Sequence, residues 1–211
     1  MPKLQLALDD ITLEDSLRLL DEVGGYVDIL EAGTPFILEN GMGAVRRIHA
    51  AYPAVDILCD GKIMDAGGLE AACLLDAGAK YVTVLALTDD QTVLDCVMEA
   101  ERRGCYVMAD MICVRDIPER VARLEEMGAH VIAVHTGVDQ QKQGRTPLDD
   151  LRVIRQSARR AKVAVAGGIS LDTLEKYLDY QPDIVIVGGG ILYHPQPASA
   201  AKAMYERLHG R

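Results

Sequence analysis

The feature that most restricts the fold is a recurrence of short, almost uninterrupted apolar runs, spaced about 25 residues apart. They are LQLAL (4–8), VDILE (27–31), VDILC (55–59), YVTVL (81–85), CYVMAD (105–110), HVIAVH (130–135), KVAVA (162–166) and DIVIV (183–187). Their apolar continuity predicts parallel strands covered on both faces, because a strand with one wet face would alternate with polar residues. The stretches between them read as helices. TLEDSLRLLDEVG carries Leu13, Leu17, Leu19 and Leu20, with Thr12 as N-cap and Glu14 in the first turn. DIPERVARLEEMG opens at Asp116 and Pro118 and closes at Gly128, and SLDTLEKYLDY is expected to start at a Ser170 cap.

Eight strand–helix units in 211 residues predict an α/β chain built as a single (β/α)8 TIM barrel, one domain over residues 1–211. A doubly wound open sheet ranks second, since no G-x-G-x-x-G turn follows any strand. With no Trp and a single Phe, the core has to be aliphatic. The net charge of −10 argues against nucleic acid and anionic membrane as partners, and leaves an anionic small molecule possible only where the site is locally positive. Five cysteines at 59, 73, 96, 105 and 113 form no C-x-x-C pair and predict reduced core thiols in a cytoplasmic protein. The opening MPKLQLALDD meets acids too early for a signal peptide, and no apolar run reaches the ~18 residues of a membrane helix.

A barrel brings the C-terminal ends of its strands to one face, and active sites form there. Asp9, Glu31, Asp60, Asp110 and His135 end five of the eight expected strands, with Lys62 and Asp65 just beyond Asp60. One such acid would mean only a turn; five on one face suggest chemistry. Glu31 and Asp60 suit a hard cation such as Mg²⁺ with water in its open positions, or one of them pairs with Lys62. Acids on either side favour the charged ammonium, so Lys62 reads as a fixed cation for developing negative charge rather than a Schiff-base amine. His135 is the one histidine at a strand end on this face and suits proton transfer. Gly167–Gly168 after strand seven and Gly188–Gly190 after strand eight read as phosphate-binding turns, or as ordinary tight turns. The polar segment 136–150 reads as a mobile lid or a solvated loop.

The motif Asp60-Gly61-Lys62-Ile63-Met64-Asp65 matches D-x-K-x-x-D and resembles the orotidine 5′-monophosphate decarboxylase superfamily. Within it the chain most resembles the 3-hexulose-6-phosphate synthase family, in LQLALD, EAGTP, KIMDAGGLEA, YVTVL, VHTGVDQQKQG, AVAGGIS and DIVIVGGGI. The resemblance spans nearly the whole chain. It implies a Mg²⁺-dependent lyase that condenses formaldehyde with D-ribulose 5-phosphate through a cis-enediolate, working as a homodimer with shared sites. It also implies roles: Glu31 and Asp60 as metal ligands, Lys62 as the enediolate's cation and His135 as base. Asp65 would enter the partner's site, Asp9 would be the strand-one acid, and Gly168, Gly188 and Gly189 would hold phosphate. The sister 3-keto-L-gulonate-6-phosphate decarboxylases share these residues but carry an arginine where this chain has Val138. A non-catalytic sugar-phosphate sensor would need the glycine loops without the acids, lysine and histidine. Gly61 departs from the expected pattern, and a glycine there is expected to loosen Asp60 and Lys62.

Overall fold

Eight strands close into one parallel barrel in the computed structural model, which describes residues 1–210, and they follow chain order from β1 to β8 with β8 pairing back onto β1. The strands are β1 (Lys3–Leu8), β2 (Ile29–Ala32), β3 (Asp56–Ile63), β4 (Tyr81–Leu85), β5 (Tyr106–Asp110), β6 (Val131–His135), β7 (Lys162–Ala166) and β8 (Ile184–Val187). The helices around them are α1 (Leu13–Val23), α2 (Thr34–Ala51), α3 (Gly67–Asp76), α4 (Asp90–Arg102) and α5 (Ile117–Glu126). They continue with α6 (Val138–Gln141), α7 (Leu148–Ser157), α8 (Leu174–Leu178), α9 (Gly189–Leu192) and α10 (Pro197–Leu208). The chain is thus a single (β/α)8 barrel, and no described helix is long and apolar enough to cross a membrane.

Local sequence sets the helix starts. The Thr12 hydroxyl accepts from the Asp15 N–H at 3.1 Å, and the Asp116 carboxylate accepts from the Glu119 N–H at 3.2 Å, so both expected caps are present. Ser170 does not cap a helix. Residues 170–173 form a tight turn whose Ser170 carbonyl accepts from Thr173 and Leu174, and α8 begins only at Leu174. The turn offers the backbone the bonds that a cap would have supplied.

Two apolar layers hold the barrel. Between strands and helices lies an aliphatic core in which Phe36, the lone phenylalanine, is fully buried. Inside the barrel, residues such as Ile29, Leu58, Met108, Val131, Ile184 and Ile186 fill the lumen below the site. Successive side chains alternate between these layers, which is why both faces of each strand are largely apolar before its C-terminal end. The thiols follow the same division. Cys59 and Cys96 are buried, and burial pushes both up to about 12. Cys73 and Cys113 are exposed, contrary to the expectation of core cysteine throughout.

Strand β3 differs most from the sequence reading, since it runs to Ile63 rather than stopping near Asp60. Its pairing to β4 jumps from Cys59–Val82 to Ile63–Val84, a bulge, and Lys62, the last of its three residues, is left-handed with φ 45°. The room beside Gly61 is not empty: a methyl built there would lie 2.5 Å from Leu74 Cδ1 of α3. Leu74 therefore packs against the glycine that was expected to loosen its neighbours.

Gly33, which precedes α2, makes another close approach. A methyl on it would fall 2.0 Å from Asp9 Oδ1 and 2.6 Å from the Leu8 carbonyl. Gly33→Ala should lower stability by about 1–3 kcal/mol. Gly25→Ala, where nothing lies within 4 Å, should stay within about 0.5 kcal/mol of the parent. Equal denaturation midpoints for the two variants would contradict this packing.

Candidate active site

Alternation along each strand turns Gln5, Ala7, Glu31, Asp60, Thr83, Asp110 and His135 into the lumen, although they are scattered from residue 5 to residue 135. With Asp9 and Lys62 they border a cavity of about 870 Å³ at the C-terminal mouth of the barrel. The sequence-derived residues Asp9, Glu31, Asp60, Lys62, His135, Gly168, Gly188 and Gly189 all line it. Asp65 does not: it is exposed on the loop after β3, and its carboxylate accepts from the neighbouring Ala66 N–H at 2.8 Å.

A continuous polar chain crosses the cavity. The Lys62 ammonium donates to Asp60 Oδ2 at 2.5 Å and to Asp110 Oδ2 at 3.4 Å. The same Asp110 oxygen lies 2.8 Å from His135 Nδ1. Burial works against the lysine's charge, but Asp60 and Asp110 more than offset it and hold the ammonium above its ordinary pKa. Burial likewise opposes the Asp110 carboxylate, while His135, Lys62 and the Ile112 N–H bring it below the usual range. An ionised Asp110 can only accept, so His135 Nδ1 carries the hydrogen and Nε2 is left to take a proton.

The opposite wall is short of positive charge. Burial first, and the Asp60 charge second, push Glu31 well above the carboxylate range. Asp9 is raised for the same two reasons, with Lys62 and His135 pulling the other way. Gln5 Nε2 donates to Glu31 Oε2 at 2.6 Å, yet among the described residues nothing bonds the buried Gln5 Oε1. Glu31 has no cationic partner among the described residues and Asp60 shares Lys62 with Asp110, and hard carboxylate oxygens so placed fit a divalent cation. Among the described residues no three His, Cys, Asp or Glu side chains gather at metal-ligand spacing, so an ion on Glu31 and Asp60 would complete its shell with water and substrate oxygens.

Several participants carry no sequence signal of their own. Thr34 donates to the Asp60 carbonyl at 2.7 Å and to Asp60 Oδ2 at 2.8 Å, and Thr83 donates to Asp60 Oδ1 at 2.8 Å. Asp110 is visible in the sequence as a strand-end acid, but its bridge between Lys62 and His135 is not. Only strand alternation, counted back from the polar strand ends, would have marked Gln5 and Thr83.

The glycine turns after β7 and β8 sit side by side. A methyl on Gly190 would lie 2.2 Å from the Ile169 carbonyl. Gly167 and Gly168 adopt φ values of 125° and 65°, which only glycine takes readily. No described residue accepts from the Gly168 or Gly188 N–H groups, which therefore remain available to an anion. Segment 136–150 is neither an open loop nor wholly irregular. It contains the short helix α6, pinned where Gln140 Oε1 accepts from the Gly137 N–H at 3.1 Å and Gln141 Nε2 donates to the Thr136 carbonyl at 2.7 Å, and its end enters α7. Val138, 66% exposed, opens α6 and lines the cavity.

Comparison with known proteins gives the chain's relatives. The model of the orotidine 5′-phosphate decarboxylase / HUMPS family matches residues 2–204. A Bacillus subtilis protein named 3-hexulose-6-phosphate synthase is 42% identical over 206 residues, covering 98% of either chain. The crystal structure of 3-hexulose-6-phosphate synthase from Salmonella typhimurium is 48% identical, with a TM-score of 0.97 and 99% of both chains covered. A crystal structure of KGPDC from Streptococcus mutans is 25% identical, with a TM-score of 0.91 over 99% of this chain and 98% of that one.

Asp110 gives a pH test. Its folded-state pKa is depressed, so its contribution is complete above the unfolded carboxylate value near ~3.9 and is lost as pH falls through the lower folded value. Asp110→Asn should therefore be less stable than the parent at pH 7, with the gap narrowing below about pH 4. Denaturation midpoints differing by the same amount at both pH values would refute this.

Proposed function

The chain belongs to the orotidine 5′-phosphate decarboxylase / HUMPS family, and from that premise we propose that it catalyses the 3-hexulose-6-phosphate synthase reaction. It is an enzyme of the lyase type. In the synthetic direction it joins formaldehyde to D-ribulose 5-phosphate, giving D-arabino-hex-3-ulose 6-phosphate. The observation that carries this reading is the chain Asp60–Lys62–Asp110–His135, which sets a fixed cation beside a histidine whose Nε2 is basic.

The residues divide the work. Backbone N–H groups of Gly168, Gly188 and Gly189 hold the phosphate end, an anion that the acid-lined part of the cavity would repel. His135 Nε2 takes a proton from carbon 1, while Asp110 keeps the ring oriented and supports its positive charge. The Lys62 ammonium stabilises the negative charge that appears on the enediolate oxygens. Carbon 1 then bonds to the formaldehyde carbon, and the new alkoxide takes a proton back from His135. Glu31 and Asp60 would hold a Mg²⁺ ion, which when bound supplies further positive charge to the same oxygens. Val138 supports the synthase over the sister decarboxylase, because an aliphatic side chain at the cavity wall supplies no cation toward the acceptor side.

His135→Ala should slow exchange of the carbon 1 proton of ribulose 5-phosphate with deuterated water by about 10²–10⁴-fold, formaldehyde absent. Exchange at the parental rate in the variant would remove His135 as the base. A parent enzyme that neither exchanges this proton nor consumes formaldehyde, with Mg²⁺ supplied, would overturn the synthase reading.

A homodimer with shared sites completes the proposal. Asp65 lies outside its own cavity, and the exposed Leu38, Met64, Leu69, Leu87 and Met98 all fall on the segments after β2, β3 and β4. Clustered exposed apolar side chains of this kind mark an association surface. Mixing Lys62→Ala with Asp65→Ala chains should restore part of the activity, since in a mixed dimer one site carries both defects and the other neither. No recovery despite demonstrated subunit exchange would rule out sharing through Asp65.

A further inference from the structure

We infer that Thr83 is a positioning residue for the reaction, because its one hydroxyl fixes both Asp60 and the backbone of Lys62. The inference rests on the synthase reading above and concerns the strand irregularity that presents the site's cation. Between the pairs Cys59–Val82 and Ile63–Val84, three residues of β3 (Asp60, Gly61 and Lys62) stand opposite a single residue of β4, Thr83. Regular pairing cannot be maintained across that mismatch, so backbone groups in the bulge lose their ladder partners. The Lys62 N–H instead donates to Thr83 Oγ1 at 2.9 Å. The same oxygen donates its hydrogen to Asp60 Oδ1 at 2.8 Å.

Two consequences follow. The hydroxyl replaces the missing ladder bond at a lysine whose φ of 45° is unfavourable for a side chain that is not glycine. It also fixes the rotation of the Asp60 carboxylate, so that Oδ2 is turned to the Lys62 ammonium at 2.5 Å. Backbone and side-chain head of Lys62 are thereby tied to one acid through one hydroxyl. Thr83 is 3% exposed, so water cannot readily take over either bond. Asp60 also receives Thr34, but Thr34 makes no bond to Lys62, so it cannot hold the pair together. Opposite Thr83, Leu74 packs against Gly61 from outside the barrel, leaving the hydroxyl as the restraint on the lumen side.

The phosphate turns lie on β7 and β8, across the barrel from β4, so this restraint bears on the chemical step and not on binding of the phosphate end. Thr83→Val keeps the shape and removes both bonds. It should lower kcat about tenfold or more while KM for ribulose 5-phosphate changes by less than about threefold. Thr83→Ser restores the hydroxyl without the methyl. Its kcat should return to within about threefold of the parent, even though its Tm, reporting lost packing, stays below it. A purely structural role would make kcat follow Tm through both variants. Parental kcat in folded Thr83→Val, or a Thr83→Ser enzyme as slow as the valine variant, would overturn the inference. Thr83→Ala is read in the same way if the valine variant does not fold. Carbon 1 proton exchange by the parent is the control: its absence would count against the synthase reading, whereas exchange that persists undiminished in Thr83→Val counts against Thr83 alone.

Discussion

A single half-buried ammonium makes this site possible. Asp9, Glu31, Asp60 and Asp110 open on one cavity, and Lys62 is the one lysine or arginine among the described residues that line it. Burying several carboxylates together is costly unless they are paired or protonated. Lys62 answers part of that cost by touching Asp60 and Asp110 at once. Through Asp110 the same charge reaches His135 and selects the tautomer that leaves Nε2 basic. Without the lysine, Asp110 would be drawn toward its neutral form, and the histidine would lose the acceptor that orients it. Breaking a buried charge pair is also among the more destabilising single changes, so site and fold are coupled here.

The fold was legible because it depends on a pattern that survives in one dimension. Eight apolar runs with helical stretches between them leave few alternatives to a closed barrel once length is fixed. Boundaries were legible where local chemistry decides them, at Thr12 and Asp116, and not where competing local bonds do. Ser170 has the right side chain for a cap, but its carbonyl closes a turn first and the helix starts at Leu174. The extension of β3 to Ile63 was hidden for a similar reason. Asp, Gly and Lys do not look like strand, and what keeps them in the sheet is a threonine some twenty residues away.

The site was legible at the level of which ends are charged, since that is a property of single positions. Asp9, Glu31, Asp60, Lys62 and His135 could be placed on one face from strand ends alone. What sequence could not supply was the wiring. Gln5 to Glu31, Thr83 to Asp60 and Asp110 to His135 are cross-strand contacts, each made possible by register and not by spacing along the chain. Threonine and glutamine in an apolar run read as tolerated interruptions until the lumen is closed around them. Asp65 is the opposite case. It belongs to the recognisable motif, yet it lies outside its own cavity, with its carboxylate bonded to the neighbouring Ala66 N–H.

Charge balance also connects the two ends of the cavity. Backbone N–H groups after β7 and β8 would receive an anion without contributing a formal charge, so phosphate there would leave the excess of acids on the neighbouring β1–β3 wall uncorrected. Glu31 is raised well above an ordinary carboxylate, by burial first and by the Asp60 charge second. Two things can relieve it, a proton or a cation. A proton would make Glu31 a neutral donor and would leave nothing to stabilise an enediolate beyond Lys62. A divalent cation on Glu31 and Asp60 would relieve the wall and place positive charge where the reaction develops negative charge. Gln5 suits the second state better: its amide N–H already occupies one Glu31 oxygen, which favours the ionised form.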